Sequence, residues 1–181
     1  MNTRTKRRDP IQTAKELLAK HKVTTVPVPI ERIAKLEGAK IQFGPLDREL
    51  SGMFFVKEGV AMIGVNSLHH PNRQRFTIGH ELGHMFLHRD QIEGDVHVDK
   101  EHAMLRRDTV SASGTDQIEI EANQFAGYML VPDELLEALL KDYPLFTDNE
   151  QELEGAAKKF KVSVLMMQLR VRRWLADREA A

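Results

Sequence analysis

An α+β fold, with a small and mostly antiparallel sheet packed on one helix and a helical C-terminal portion, follows from three observations. Apolar residues recur at helical spacing towards both ends of the chain. Two short apolar runs, Gly52 to Val56 and Val60 to Asn66, are separated only by Lys57-Glu58-Gly59, as in a hairpin. A long segment with one apolar side then carries His80-Glu81-Leu82-Gly83-His84. Helices, then strands, then helices is an α+β order, with the motif helix lying on the sheet.

The elements are justified in turn. Asp9-Pro10 pairs an N-cap with proline at the first helical position, and Ile11, Ala14, Leu17 and Leu18 continue that helix to about Lys20. Pro27 and Pro29 interrupt the chain, after which a short helix runs through Leu36 and stops at Gly38. Lys40 to Phe43 reads as a strand, followed by the hairpin. Phe76, Ile78, Leu82, Met85, Phe86 and Leu87 give the segment from Pro71 to Leu87 its apolar side. Residues 88–116 are polar and irregular, with a short strand near Val96–Val98; a connection of this length is usually functional. A helix from Thr115 or Asp116 to Leu130 follows, and Pro132 opens another through Leu140. Thr147-Asp148-Asn149-Glu150 is a capping-box pattern, and the remainder is helical to about Asp177 with a break near Val162-Ser163.

Composition narrows the chemistry. The 181 residues are 41% hydrophobic, enough for one core. A net charge of −1 points to neither nucleic acid nor a membrane surface as the partner of the whole chain. With no cysteine, any zinc must be held by histidine and carboxylate. No apolar run reaches the roughly 20 residues that span a bilayer, and the basic Thr3–Arg8 stretch has no apolar segment behind it, so the cytoplasm is the expected location.

The pentapeptide reads H-E-x-x-H. Helical residues four apart share a face, so His80 and His84 can turn their imidazoles to one ion while Glu81 acts on a water beside it. A catalytic zinc has three protein ligands and a water. His88 is excluded as the third, because it would lie about 12 Å from His80 along a straight helix. The longer H-E-x-x-H-x-x-G-x-x-H pattern also fails, with Leu87 and Asp90 at its last two marked positions. In the later helix, Ile118, Ala122, Phe125, Ala126 and Met129 define an apolar face. Glu119 stands at its edge and Glu121 farther round, towards solvent. Glu119 is therefore the expected third ligand and Glu121 the alternative. Asn123 is placed to accept the N–H of a ligating histidine and fix its ring.

Arg75-Phe76-Thr77-Ile78-Gly79-His80-Glu81-Leu82-Gly83-His84, followed by Glu119-Ile120-Glu121-Ala122-Asn123-Gln124-Phe125-Ala126 and Leu130-Val131-Pro132, resembles the ImmA/IrrE metallo-endopeptidases over about residues 10–175. The resemblance implies a zincin-like fold, with residues 1–8 as a basic tail, 9–145 as the peptidase unit and 146–181 as a helical segment. It implies a zinc ion held by His80, His84 and Glu119, in an enzyme of the 3.4.24 class that cleaves a helix-turn-helix repressor in a stress or mobile-element response. Mn²⁺ or Fe²⁺ would also suit such donors.

In that chemistry Glu81 takes a proton from the metal-activated water and delivers it to the leaving amine. Tyr128, His97 and His102 are candidates to stabilise the oxyanion, against ordinary structural roles for each. If Val60 to Asn66 is an edge strand, Ile63 and Gly64 would pair with an extended substrate; a plain core strand is the alternative. A different class of function is also open. Lys158, Lys159, Lys161, Arg170, Arg172 and Arg173 occur without an acid among residues 158–173, on apolar spacing like that of a helix-turn-helix. That segment would make the chain a DNA-binding regulator or a toxin–antitoxin component in which zinc is structural.

Overall fold

The computed structural model describes residues 8–92, 97–100, 114–142 and 150–179. Residues 1–7 of the expected tail, His102 and the capping-box residues Thr147, Asp148 and Asn149 lie outside them. The order is α1 (Pro10–Lys20), α2 (Ile30–Leu36), β1 (Lys40–Gly44), β2 (Leu50–Lys57), β3 (Val60–Asn66), α3 (Pro71–Leu87), α4 (Arg89–Ile92), β4 (His97–Lys100), α5 (Gly114–Leu130), α6 (Asp133–Asp142), α7 (Glu150–Phe160) and α8 (Val164–Glu179). This is the expected α+β arrangement.

Local chemistry sets the boundaries near the site. The Asp9 carboxylate accepts the N–H of Gln12 at 2.6 Å and Pro10 follows, so α1 begins where its orphan donor is satisfied. α3 also begins with proline, and the His70 ring accepts the N–H of Asn72 at 3.2 Å. The β2–β3 hairpin closes through Glu58 and Gly59, both at positive φ (52° and 76°). Such a two-residue turn matches the twist of its strands.

The four strands lie in the order β1-β3-β2-β4. β3 runs antiparallel to β2, pairing Ile63 with Phe54, and parallel to β1, pairing Ile63 with Ile41. β4 runs antiparallel to β2 with a register shift between Leu50 and Gly52. The reading of Val60–Asn66 as an edge strand is therefore corrected. The hairpin returns its second strand into the space between β1 and β2, so β3 bonds on both sides. Ile63 is fully buried and Gly64 faces the Met53 side chain, leaving neither free to pair with a substrate.

α3 is the central helix. It packs on β2 and β3 with one side and on α5 with the other, and α1 covers the far side of α5. Every residue from Phe76 to Met85 is buried, the motif's charged groups included. The core joins Phe54, Ile63, Ile78, Leu82, Phe125, Met129 and Leu136. α7 and α8 dock on this unit through polar ties. Asn72 donates to the Val162 carbonyl at 2.9 Å, and the Arg170 guanidinium caps the Val131 carbonyl at 3.0 Å while pairing with Asp133.

Candidate metal centre

The site is built by two helices and held at a fixed spacing by their smallest residues. Gly79 and Gly83 lie one turn apart on α3, facing Ala122 and Ala126, likewise one turn apart on α5. A Cβ placed on Gly83 would come within 3.1 Å of the Ala122 Cα and 3.2 Å of the Phe125 ring. One placed on Gly79 would meet the Ala126 Cβ at 3.4 Å. The helices touch almost backbone to backbone, which brings the first turns of α5 over the motif.

At that crossing the His80 and His84 Nε2 atoms are 3.0 Å apart. Glu119 Oε2 lies 3.2 Å from His80 Nε2, and Glu119 Oε1 lies 3.4 Å from His84 Nε2. Bonds of about 2.0–2.1 Å to a tetrahedral ion would place donor atoms roughly 3.3 Å apart, so the triangle has the right size for one. The remaining ring nitrogens point away from it. His80 Nδ1 is 3.0 Å from Asn123 Oδ1, and His84 Nδ1 is 3.3 Å from His88 Nδ1. Both histidines thus offer Nε2 to the same point, and the cluster His80, His84, Glu119 is able to hold a metal ion. The histidines and both Glu119 carboxylate oxygens are buried, while the Glu119 side chain as a whole keeps 17% exposure.

Glu81 is fully buried on the side of α3 that faces the sheet. The backbone of β2 lies against it at Gly52. A Cβ there would sit 3.3 Å from Glu81 Oε1 and 2.7 Å from the Gly64 carbonyl, and would overlap the Thr77 methyl. Only glycine leaves that room, and nothing in the linear pattern marked Gly52 as part of the site.

Two sequence readings change. Glu121 does not face solvent: it is 6% exposed, and its Oε2 lies 2.9 Å from His88 Nε2 while Gln117 donates to Oε1 at 3.0 Å. The α3–α5 approach is so close that the α5 face beside the apolar stripe is covered as well. Tyr128 is not at the site. Nine residues beyond Glu119, its hydroxyl donates to the Glu134 carboxylate at 3.2 Å, with Arg170 over its ring. Burial, together with the charges of Asp133 and Glu134, holds its phenol proton far above the usual range. His97 lies on the edge strand β4, with its Cα paired to Phe54.

Sequence reasoning excluded His88 as a ligand and read it as a histidine at the end of the helix, which it is. It caps α3, is 2% exposed, and bridges His84 to Glu121. Its four-residue spacing from His84 was the available signal. Of the basic residues at 158–173, Arg170 is buried in the protein's own interior contacts and Lys158 pairs with Glu154 at 2.8 Å. Lys159, Lys161, Arg172 and Arg173 are exposed. Among the described residues, no helix is long and apolar enough to cross a membrane.

Comparison with known proteins gives three findings. A solved structure described as a Mycobacterium tuberculosis transcriptional regulator shares the fold at a TM-score of 0.58 and 16% identity, over 88% of this chain. This chain spans 44% of the length of that one. No curated protein matches. The family model Peptidase_M78, described as the IrrE N-terminal-like domain, matches residues 34–172.

Proposed function

Because the chain belongs to the Peptidase_M78 family, a family of metallopeptidases, we propose that it is a zinc-dependent endopeptidase whose substrate is a helix-turn-helix transcriptional repressor. The observation that carries the metal chemistry is the convergence of His80 Nε2, His84 Nε2 and the Glu119 carboxylate, with both remaining ring nitrogens hydrogen-bonded elsewhere. Imidazole and carboxylate donors suit zinc, with Mn²⁺ and Fe²⁺ as alternatives. An ion held there supplies a Lewis acid and lowers the pKa of a water to about 7.

The protein's own groups do the rest. Asn123 holds the His80 ring so that Nε2 faces the cluster. Glu81 accepts the proton of the attacking water and returns it to the leaving amine. Burial against Gly52 and Thr77 gives that carboxylate a fixed position and a low local dielectric, where transfer of one proton changes its energy most. The regulatory setting and the repressor substrate rest on the family resemblance.

The test is incubation with zinc and a small helix-turn-helix protein, sought first in the reading frame beside this chain's own, read by mass spectrometry. Defined fragments are expected from wild type. Glu81→Gln should bind zinc with unchanged stoichiometry and lose cleavage by about three orders of magnitude or more, as expected for a proton shuttle that also orients the water. Full cleavage by that variant would end the mechanism, and intact repressor under zinc, manganese and iron would end the substrate assignment.

A further inference from the structure

Beyond His84 runs a second row of polar groups that the reaction does not use. His84 Nδ1 is 3.3 Å from His88 Nδ1, His88 Nε2 is 2.9 Å from Glu121 Oε2, and Gln117 donates to Glu121 Oε1 at 3.0 Å. His84 is fully buried, and the His88 and Glu121 side chains are 2% and 8% exposed. Buried polar groups in a row must alternate donor and acceptor. The order is fixed at one end by the Glu121 carboxylate and at the other by the reading of His84 Nε2 as a ligand atom, which needs its lone pair free. A carboxylate only accepts, so His88 Nε2 must carry a proton and donate to Glu121. A neutral His88 then has a bare Nδ1, which accepts from His84 Nδ1–H. His84 is left with its lone pair on Nε2, the atom turned towards His80 and Glu119.

We propose that His88 and Glu121 are positioning residues, a buried relay that fixes His84 in its Nδ1–H tautomer and thereby sets the affinity of the cluster for a divalent ion. The inference rests on the reading of His80, His84 and Glu119 as the ion's ligands. It assigns the two histidines different supports. His80 leans on a neutral amide, Asn123, whereas His84 leans through a second imidazole on a carboxylate. The charge at the end of that relay polarises the His84 ring and strengthens Nε2 as an electron-pair donor to an ion. It also accounts for a histidine and a glutamate held in the core of a helix crossing otherwise built from glycine, alanine and phenylalanine.

Zinc affinity, measured by chelator competition on the full chain, tests it together with the tautomers read from histidine ¹⁵N shifts. His88→Phe keeps the ring volume and removes both nitrogens; it should weaken zinc by about tenfold to a hundredfold. His88→Gln can still accept from His84 and donate to Glu121, so it should stay within a few-fold of wild type. Glu121→Gln keeps an acceptor but removes the charge and should fall between them. In wild type His84 should be the Nδ1–H tautomer and His88 the Nε2–H tautomer. A packing role would reverse the order, with Phe tolerated and Gln not, and would overturn the proposal. So would unchanged affinity in both His88→Phe and Glu121→Gln while wild type binds zinc tightly. If His88→Phe does not fold, Glu121→Gln and the wild-type tautomers decide. Failure of wild type itself to bind any divalent ion would overturn the ligand assignment and the relay with it.

Discussion

Glu37 shows how a single side chain ties two elements together. It follows α2, and its carboxylate lies 2.7 Å from Lys20 Nζ and 2.6 Å from His21 Nε2, both at the end of α1. Burial works against its charge, but the hydrogen bonds and charges of Lys20 and His21 prevail and hold its pKa below the ordinary value. An unfolded glutamate titrates near about 4.3. A depressed folded pKa therefore adds stability that is complete above that value and disappears as pH falls through the folded one. Lys20 is 61% exposed, so the contribution is that of a screened pair, about 0.5–1 kcal/mol. Denaturant titrations should find Glu37→Gln less stable than wild type by that amount at pH 7, with the two converging as pH falls through the depressed folded pKa. A gap that widened on acidification would contradict the sign.

The crossing of α3 and α5 decides whether the three donor atoms meet. Gly83→Ala exchanges a helix-propensity gain of about 1 kcal/mol for overpacking of about 1–3 kcal/mol, because the atom it strikes is the Ala122 backbone. Thermal stability should change little, while zinc affinity should fall at least tenfold as α5 moves and carries Glu119 away from the histidines. Gly79→Ala meets Ala126 at ordinary contact distances, 3.4 Å to its Cβ and 3.5 Å to its Cα, and should retain affinity. Equal affinities for the two variants in a chelator titration would show that the spacing does not control the site.

The same crossing marks how far the sequence could be read. Apolar period and proline placement located α1 and α3 to the residue, since caps and prolines act locally. The helical face of α5 brought Glu119 and Asn123 forward because both border the apolar stripe. Glu121 was misplaced because a periodicity argument covers one face, and glycine-on-alanine packing buries more of the helix than the stripe does. The place of β3 inside the sheet was not legible either. Hairpin signals fix which strands are neighbours, whereas the strand on the other side of β3 is contributed by β1, from beyond the hairpin.

For the whole molecule, the ligands come from two helices separated by 34 residues between His84 and Glu119, so the cluster exists only in the folded chain. Ion binding is then linked to global stability. At a hundredfold excess over Kd, zinc should stabilise by about 2.7 kcal/mol, or roughly 5–10 °C in melting temperature for a chain of this size. Differential scanning calorimetry with and without EDTA should show that shift in wild type and none in His80→Ala. A shift of equal size in the variant would place the ion elsewhere.

The backbone contact between α3 and α5 has an evolutionary consequence. Positions 79, 83, 122 and 126 touch neither ion nor peptide, yet they share one fixed gap. Bulk gained at 83 or 122 must be given up by the residue opposite, or Glu119 is carried out of reach of His80 and His84, whereas the 79–126 contact has room for a methyl group. Positions 83 and 122 can drift only as a compensating pair. Relatives that keep the cluster should vary there in concert, with a larger residue on one helix matched by a glycine on the other.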